Sequence, residues 1–242
     1  MIGIFDSGIG GVTVFKKIIK KIPNGHFIYY SDSVNNPYGD KTKDELINIV
    51  DNIVNKLITL GVKVIVIACN TASYVCKDYL REKYKNIIFI AIEPAYKMVY
   101  DYNFNGKTLI MATKGTIENE KFLALYHKYD NHKTILLPCI GLADLIEQDG
   151  NVIDYLNENL REYKDIENVV LGCTHYPLIK KEISKVLGNV EFYDGSDGVS
   201  KELIKQLNDN NIKYNYDKLE IKFIDSSNNL DKEKRFYEIL NK

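Results

Sequence analysis

The chain has 242 residues, enough for one large domain or two small ones with a real core, so neither disulfides nor a metal is needed to hold it together. Thirty-two basic against thirty-three acidic residues leave a net charge of -1, which argues against a general nucleic-acid binder and against a polybasic membrane patch. The apolar fraction of 45% is too high for a disordered chain, and no apolar stretch approaches the length of a membrane-crossing helix.

Met1 to Phe5 reads as a short apolar strand, followed by the glycine-rich turn Gly8-Ile9-Gly10-Gly11 and a helical run to about Lys21. This start lacks the features of a signal peptide, so a cytoplasmic protein is expected, with Cys69, Cys76, Cys139 and Cys173 as free thiols. No CxxC pair is present, so no zinc ribbon or thioredoxin-type site is indicated. His26 to Ser31 reads as a second strand. Thr42-Lys43-Asp44-Glu45 is a capping box opening a helix, and Gly61 is placed to end it. Val62 to Ala68 is apolar except for Lys63, as a strand buried on both faces of a parallel sheet would be. A helix from about Thr71 to Tyr84 and a strand Ile87 to Ile92 follow.

Glu93-Pro94 is a break, with Pro94 suited to the first turn of a new helix. Beyond it come strand Thr108 to Ala112, a helix from about Thr116, strand Thr134 to Leu137, and helical stretches Leu142 to Gln148 and Val152 to Tyr163. Strand Asn168 to Leu171, helix Leu178 to Leu187, strand Val190 to Tyr193 and a helix from about Gly198 continue the alternation. Asn208 to Asp217 reads as a connector, Leu219 to Ile224 as the last strand, and a charged helix closes the chain. Some ten strands alternating with helices predict an α/β fold of two small, mainly parallel sheets, with a boundary near Glu93-Pro94.

In such sheets ligands gather at the carboxyl ends of strands. Three of those ends carry chemistry: Asp6-Ser7-Gly8, Ala68-Cys69-Asn70-Thr71-Ala72-Ser73 and Gly172-Cys173-Thr174-His175-Tyr176-Pro177. The second and third match in outline and lie in different halves. A thiol just before a helix is favoured as thiolate by the helix amides and dipole. Two such thiols facing each other make a two-base site that removes a proton from one face of a carbon and delivers one to the other. Asp6 and His175 are placed to assist, one in each half.

Plainer readings apply to several residues. Cys76 and Cys139 read as small buried hydrophobes. Cys69, Cys173 and His175 also compose a Cys₂His zinc set; a proton-handling partner in each half favours acid–base work. Gly8-Ile9-Gly10-Gly11 is similar to phosphate loops of sugar-kinase-like ATPases, but it is not followed by Lys-Ser/Thr, lacks the dinucleotide spacing and has no twin in the other half. Arginines are scarce, Arg81, Arg161 and Arg235, so a substrate carboxylate would be held by backbone amides and hydroxyls.

Together the motifs resemble the glutamate racemases of bacterial cell-wall synthesis, within the cofactor-independent aspartate/glutamate racemase superfamily. The resemblance rests on Gly3 to Gly11, on Tyr30-Ser31-Asp32 through Pro37-Tyr38-Gly39, on Ala68 to Ser73, on Ala112-Thr113-Lys114-Gly115-Thr116 and on Leu171 to Pro177. It implies two pseudo-symmetric α/β domains, residues 1–94 with 207–242 and residues 95–206, with the active site in the cleft between them. It implies a catalytic pair, Cys69 acting on D-glutamate and Cys173 on L-glutamate, with Asp6 and His175 as auxiliary acid–base groups. Asp6, Ser7, Tyr38, Gly39, Asn70, Thr71, Thr174 and His175 match substrate contacts, and Glu147 falls near a further carboxylate. Neither a cofactor nor a metal is implied: no Lys occupies a strand end comparable to the cysteines, as pyridoxal phosphate would require. The implied partner is a small molecule, L- or D-glutamate, with no nucleic acid or membrane. A homodimer is common among such proteins, though no patch in the sequence fixes one. The same chemistry serves aspartate and broad-specificity racemases, and a binding protein could keep the cleft without turnover.

Overall fold

The computed structural model describes residues 1–93, 95–103 and 105–242. Strands β1 (Ile2–Asp6), β2 (His26–Ser31), β3 (Val64–Ile67), β4 (Ile88–Ala91) and β9 (Glu220–Asp225) form one parallel sheet in the order β4-β3-β1-β2-β9. Strands β5 (Thr108–Ala112), β6 (Thr134–Pro138), β7 (Asn168–Gly172) and β8 (Glu191–Tyr193) form a second, also parallel, in the order β6-β5-β7-β8. The expected α/β class and the pair of parallel sheets flanked by helices are both present.

The period-two alternation of strands explains the layers. In β1 and β3, Ile2, Ile4, Val64 and Val66 face helices α1 (Val12–Lys21), α10 (Ser196–Asp209) and α11 (Leu230–Asn241). Phe5, Ile65 and Ile67 face the other way, onto α2 (Lys43–Thr59) and α3 (Asn70–Lys83). In the second sheet Leu109, Met111, Val169 and Leu171 meet α7 (Leu142–Glu147), α8 (Val152–Leu160) and α9 (Lys180–Leu187). Ile110 and Val170 meet α4 (Tyr96–Asn103) and α6 (Glu120–Tyr129) through Tyr96, Val99 and Phe122. The capping box forms as expected, and Gly61 follows α2 in the left-handed region at φ 85°.

Three expectations change. The single helix from Thr116 is two, α5 (Lys114–Ile117) and α6, because Thr113 and Asn119 each cap a new start. The helix at Leu178 opens as a 3₁₀ turn, Tyr176–Ile179, before α9. The return to the first half comes earlier than residue 207: Val199, Leu203 and Leu207 of α10 are buried in the core of the first sheet. The chain therefore crosses between halves near Glu93 and again near Gly195. These crossings touch, since a Cβ at Gly195 would run into the Glu93 carbonyl. Pro94, where the sequence suggested a helix start, lies outside the described residues.

Candidate active site

The carboxyl ends of β1, β3, β5 and β7 converge on one cavity. Its walls include Ser7, Tyr38, Gly39, Cys69, Asn70 and Thr71 from the first half and Cys173, Thr174 and His175 from the second. Nine of the site residues expected from sequence thus share one space. Among the described residues, none of the three arginines lines it. The space measures only about 10 Å³, room for roughly one water molecule.

Cys69 is the N-cap of α3 and is 6% exposed. The Ala72 amide of the first turn and the Ser7 side chain favour its thiolate, as a helix start should. Burial, and next the charge of Asp6, outweigh them and push the thiol up. The lowering expected from the helix terminus is therefore not the net result at Cys69. Cys173 differs in setting. No α-helix starts beside it; its carbonyl accepts the Tyr176 amide at 3.2 Å, and its Sγ lies 3.7 Å from His175 Nδ1. The two strand ends match in sequence but not in detail.

His175 is 1% exposed and spans two partners, with Nε2 2.8 Å from Glu147 Oε2. Burial would lower the imidazole, but the contacts to Cys173 and Glu147 carry it up to about 10. Burial would likewise raise the Glu147 carboxyl, but the His175 bond and charge, Lys232 and the Ile9 amide together bring it down to about 2. Ile9 N donates to Glu147 Oε2 at 2.9 Å, and Lys232 Nζ to Oε1 at 2.5 Å. Glu147 does not line the cavity; it stands behind His175.

Asp6 is fully buried and also lies behind the wall. Its Oδ2 accepts the Gly11 amide at 2.8 Å, and its Oδ1 accepts the Thr174 hydroxyl at 3.2 Å. Burial holds its carboxyl above the usual range, with the His175 charge and the Gly11 amide pulling the other way. Asp6 does not line the cavity but stands one layer back from it, and from there its charge acts on Cys69.

The glycine turn has a packing reason. A Cβ on Gly8 would sit 2.5 Å from Glu147 Oε2, and one on Gly10 2.7 Å from the His175 amide nitrogen. The loop can dock against the second half only without side chains there. Cys76 and Cys139 are buried in apolar clusters, as read from sequence. Among the described residues, no group of three or more His, Cys, Asp or Glu side chains is arranged to hold a metal ion.

Sequence reasoning missed Asn36, Pro37, Thr113 and Ala143 in the wall. Thr113 had a signal, its place just after β5: it caps α5 and shares a 3.0 Å hydroxyl contact with Thr71. Asp32, which accepts the Tyr38 hydroxyl at 2.7 Å, stood inside a quoted motif without a role. Lys232 carried no local signal.

The profile of the Asp/Glu/hydantoin racemases matches residues 23–199. The chain belongs to this racemase family. A glutamate racemase of Clostridium acetobutylicum is 47% identical over 214 residues, covering 85% of this chain and 83% of that protein. The crystal structure of glutamate racemase from Francisella tularensis in complex with D-glutamate superposes with a TM-score of 0.83 at 32% identity, covering 100% of this chain and 93% of that one. A glutamate racemase isoform from Bacillus anthracis gives a TM-score of 0.86 at 28% identity, covering 100% and 94%. The family resemblance read from the motifs is borne out, and so is the racemase fold.

Proposed function

We propose that this protein is a glutamate racemase, interconverting L- and D-glutamate in the cytoplasm by a two-thiol proton transfer at Cα and so supplying D-glutamate for peptidoglycan. The observation that carries this reading is that Cys69 and Cys173, from the ends of strands in different sheets, line one buried cavity. The activity of the curated relative supports the substrate.

One thiolate takes the α-proton while the opposite thiol delivers its proton to the other face. Cα is inverted, the two sulfurs exchange protonation states, and no proton is gained or lost. In this reading Cys69 acts on D-glutamate and Cys173 on L-glutamate. His175 holds a proton against Cys173, and Asp6 biases Cys69 through its charge. Glu147 holds the His175 ring. The Ser7 and Thr71 hydroxyls and the backbone around Gly39 are the donors available to the substrate carboxylates, since the Tyr38 and Thr174 hydroxyls already donate to Asp32 and Asp6. The side-chain oxygens of Asn36 and Asn70 are buried without a hydrogen-bond partner, which suits acceptance from the substrate ammonium. The cavity is too small for an amino acid, so residues 95 to about 195 open as a body about the paired crossings near Glu93 and Gly195. Closure then excludes water from the carbanion. The reaction needs no cofactor. A homodimer belongs to the same reading on family resemblance, and sedimentation velocity tests it.

The deciding experiment is racemisation of L-glutamate in D₂O without added cofactor, followed by chiral analysis, with L-aspartate and the Cys69→Ser and Cys173→Ser variants alongside. Deuterium at Cα of the product, with racemisation lost in each variant, supports the proposal. A reduced wild type inert on both acids overturns it, and faster turnover of L-aspartate renames the substrate.

A further inference from the structure

The Glu147–His175 pair lies wholly in the second half, yet the groups that fix Glu147 come from the first. Helix α11 follows β9 and packs on the first sheet through Phe236, which is fully buried there. From this helix Lys232 donates to Glu147 Oε1 at 2.5 Å, leaving Oε2 for His175 and the Ile9 amide. One turn on, Arg235 donates to the Ile146 carbonyl at 2.7 Å and to the Glu147 carbonyl, and pairs with Asp149 at 2.7 Å. Both oxygens and the main chain of Glu147 are thus held across the halves. The Glu147 side chain is 4% exposed and that of Lys232 22%, so the pair is largely withdrawn from water.

We propose that Lys232 and Arg235 are positioning residues for the proton relay on the Cys173 side, holding Glu147 so that it fixes the His175 ring against Cys173. Neither lines the cavity. Without the ammonium, Oε1 is a buried acceptor with no donor, and burial favours the protonated acid. A Glu147 carboxylate that has lost one of its two anchored oxygens orients the His175 ring less firmly, and the imidazole's hold on Cys173 weakens. The charged groups facing Glu147 are His175, Lys232 and, through its charge, Asp6; Arg235 and Asp149 flank its main chain, and Asp231, Lys234 and Glu238 line the same outer surface. The bonds that Lys232 and Arg235 make go to Ile146, Glu147 and Asp149, behind His175, so the effect falls first on Cys173. Because the clasp joins the halves, it forms only when they close, which couples closure to assembly of this arm.

The test uses Lys232→Met and Arg235→Met, with Lys232→Arg as the conservative variant and the exposed Lys234→Met as a control for charge lost from the same helix. Iodoacetamide labelling of Cys173 and of Cys69 is followed separately by peptide mass spectrometry. Lys232→Met is expected to slow Cys173 labelling by about tenfold and leave Cys69 unchanged, since a partner that fixes a proton-transfer group is worth at least this much. Arg235→Met should slow it less. Lys232→Arg should restore it, and Lys234→Met should match wild type. On the racemase reading, kcat/KM for L- and D-glutamate falls by one common factor, because enantiomers have equal free energy, and kcat falls more than KM rises. Cys173 labelling unchanged or faster in Lys232→Met overturns the proposal, as does equal slowing at both cysteines with a lowered Tm. Selective slowing at Cys173 in a protein that does not racemise glutamate upholds the positioning role and rejects the racemase reading.

Discussion

Replacing Glu147 by Gln keeps the side chain's shape and removes its charge, and the structure sets the size of the effect. The carboxyl is held from 4.5 down to about 2 by His175, Lys232 and the Ile9 amide, against the opposing effect of burial. At about 1.36 kcal/mol per pH unit, that drop corresponds to about 3 kcal/mol of stability. The rise of His175 from 6.5 to about 10 is in part the same contact seen from its other end, so it is counted once. The pH window follows from the signs. A lowered carboxyl contributes stability above 4.5 that is lost as pH falls through about 2. A raised imidazole contributes stability below 6.5 that is lost as pH rises through about 10. The gap between wild type and Glu147→Gln should be widest between 4.5 and 6.5. Thermal unfolding near pH 6 should show a Tm lower by about 6–12 °C, from about 2–4 °C per kcal/mol for a chain of this size, and the gap should shrink by about pH 9 as His175 begins to lose its proton. A gap below about 1 kcal/mol near pH 6, or one unchanged at pH 9, would refute the reasoning.

Gly10→Ala brings a Cβ within 2.7 Å of the His175 amide nitrogen, the His175 ring and the Thr174 hydroxyl. The halves must then dock apart, at a cost of about 1–3 kcal/mol in urea unfolding and about a hundredfold in kcat/KM. Thr113→Val removes the hydroxyl that caps α5 and meets Thr71; KM for glutamate should rise more than kcat falls, with a stability loss of about 1 kcal/mol. Phe236→Ala empties a fully buried ring that packs on Phe15, Tyr29 and Phe223. It should cost about 3–5 kcal/mol in urea unfolding and loosen the helix that carries Lys232.

Much of the fold was legible because the signals are local. β2 occupies His26–Ser31 and β5 occupies Thr108–Ala112, the boundaries read from sequence, since apolar runs between turn residues leave little freedom. The Thr42 box was readable because both of its bonds close within three residues. The site was readable for a related reason: a parallel strand that ends in polar residues presents them at the sheet's carboxyl edge, so Cys69 and Cys173 were recognisable before their shared cavity was known. The placement of α10 was not, because its apolar spacing predicts a helix but not which sheet it packs on; Val199, Leu203 and Leu207 lie in the core of the first.

What the sequence determined by itself was the alternation of elements, their caps, and which strand ends carry thiols, all set by interactions spanning a few residues. What the tertiary structure decided was the chemistry of those thiols. Cys69 is pushed up by burial and by Asp6, while Cys173 meets an imidazole braced by a carboxylate 28 residues before it. That carboxylate is in turn held by a lysine 85 residues further along the chain. Protonation follows from which charges and amides share a dry space, and that is fixed by how two sheets and a returning helix close on one another, which periodicity along a chain does not encode.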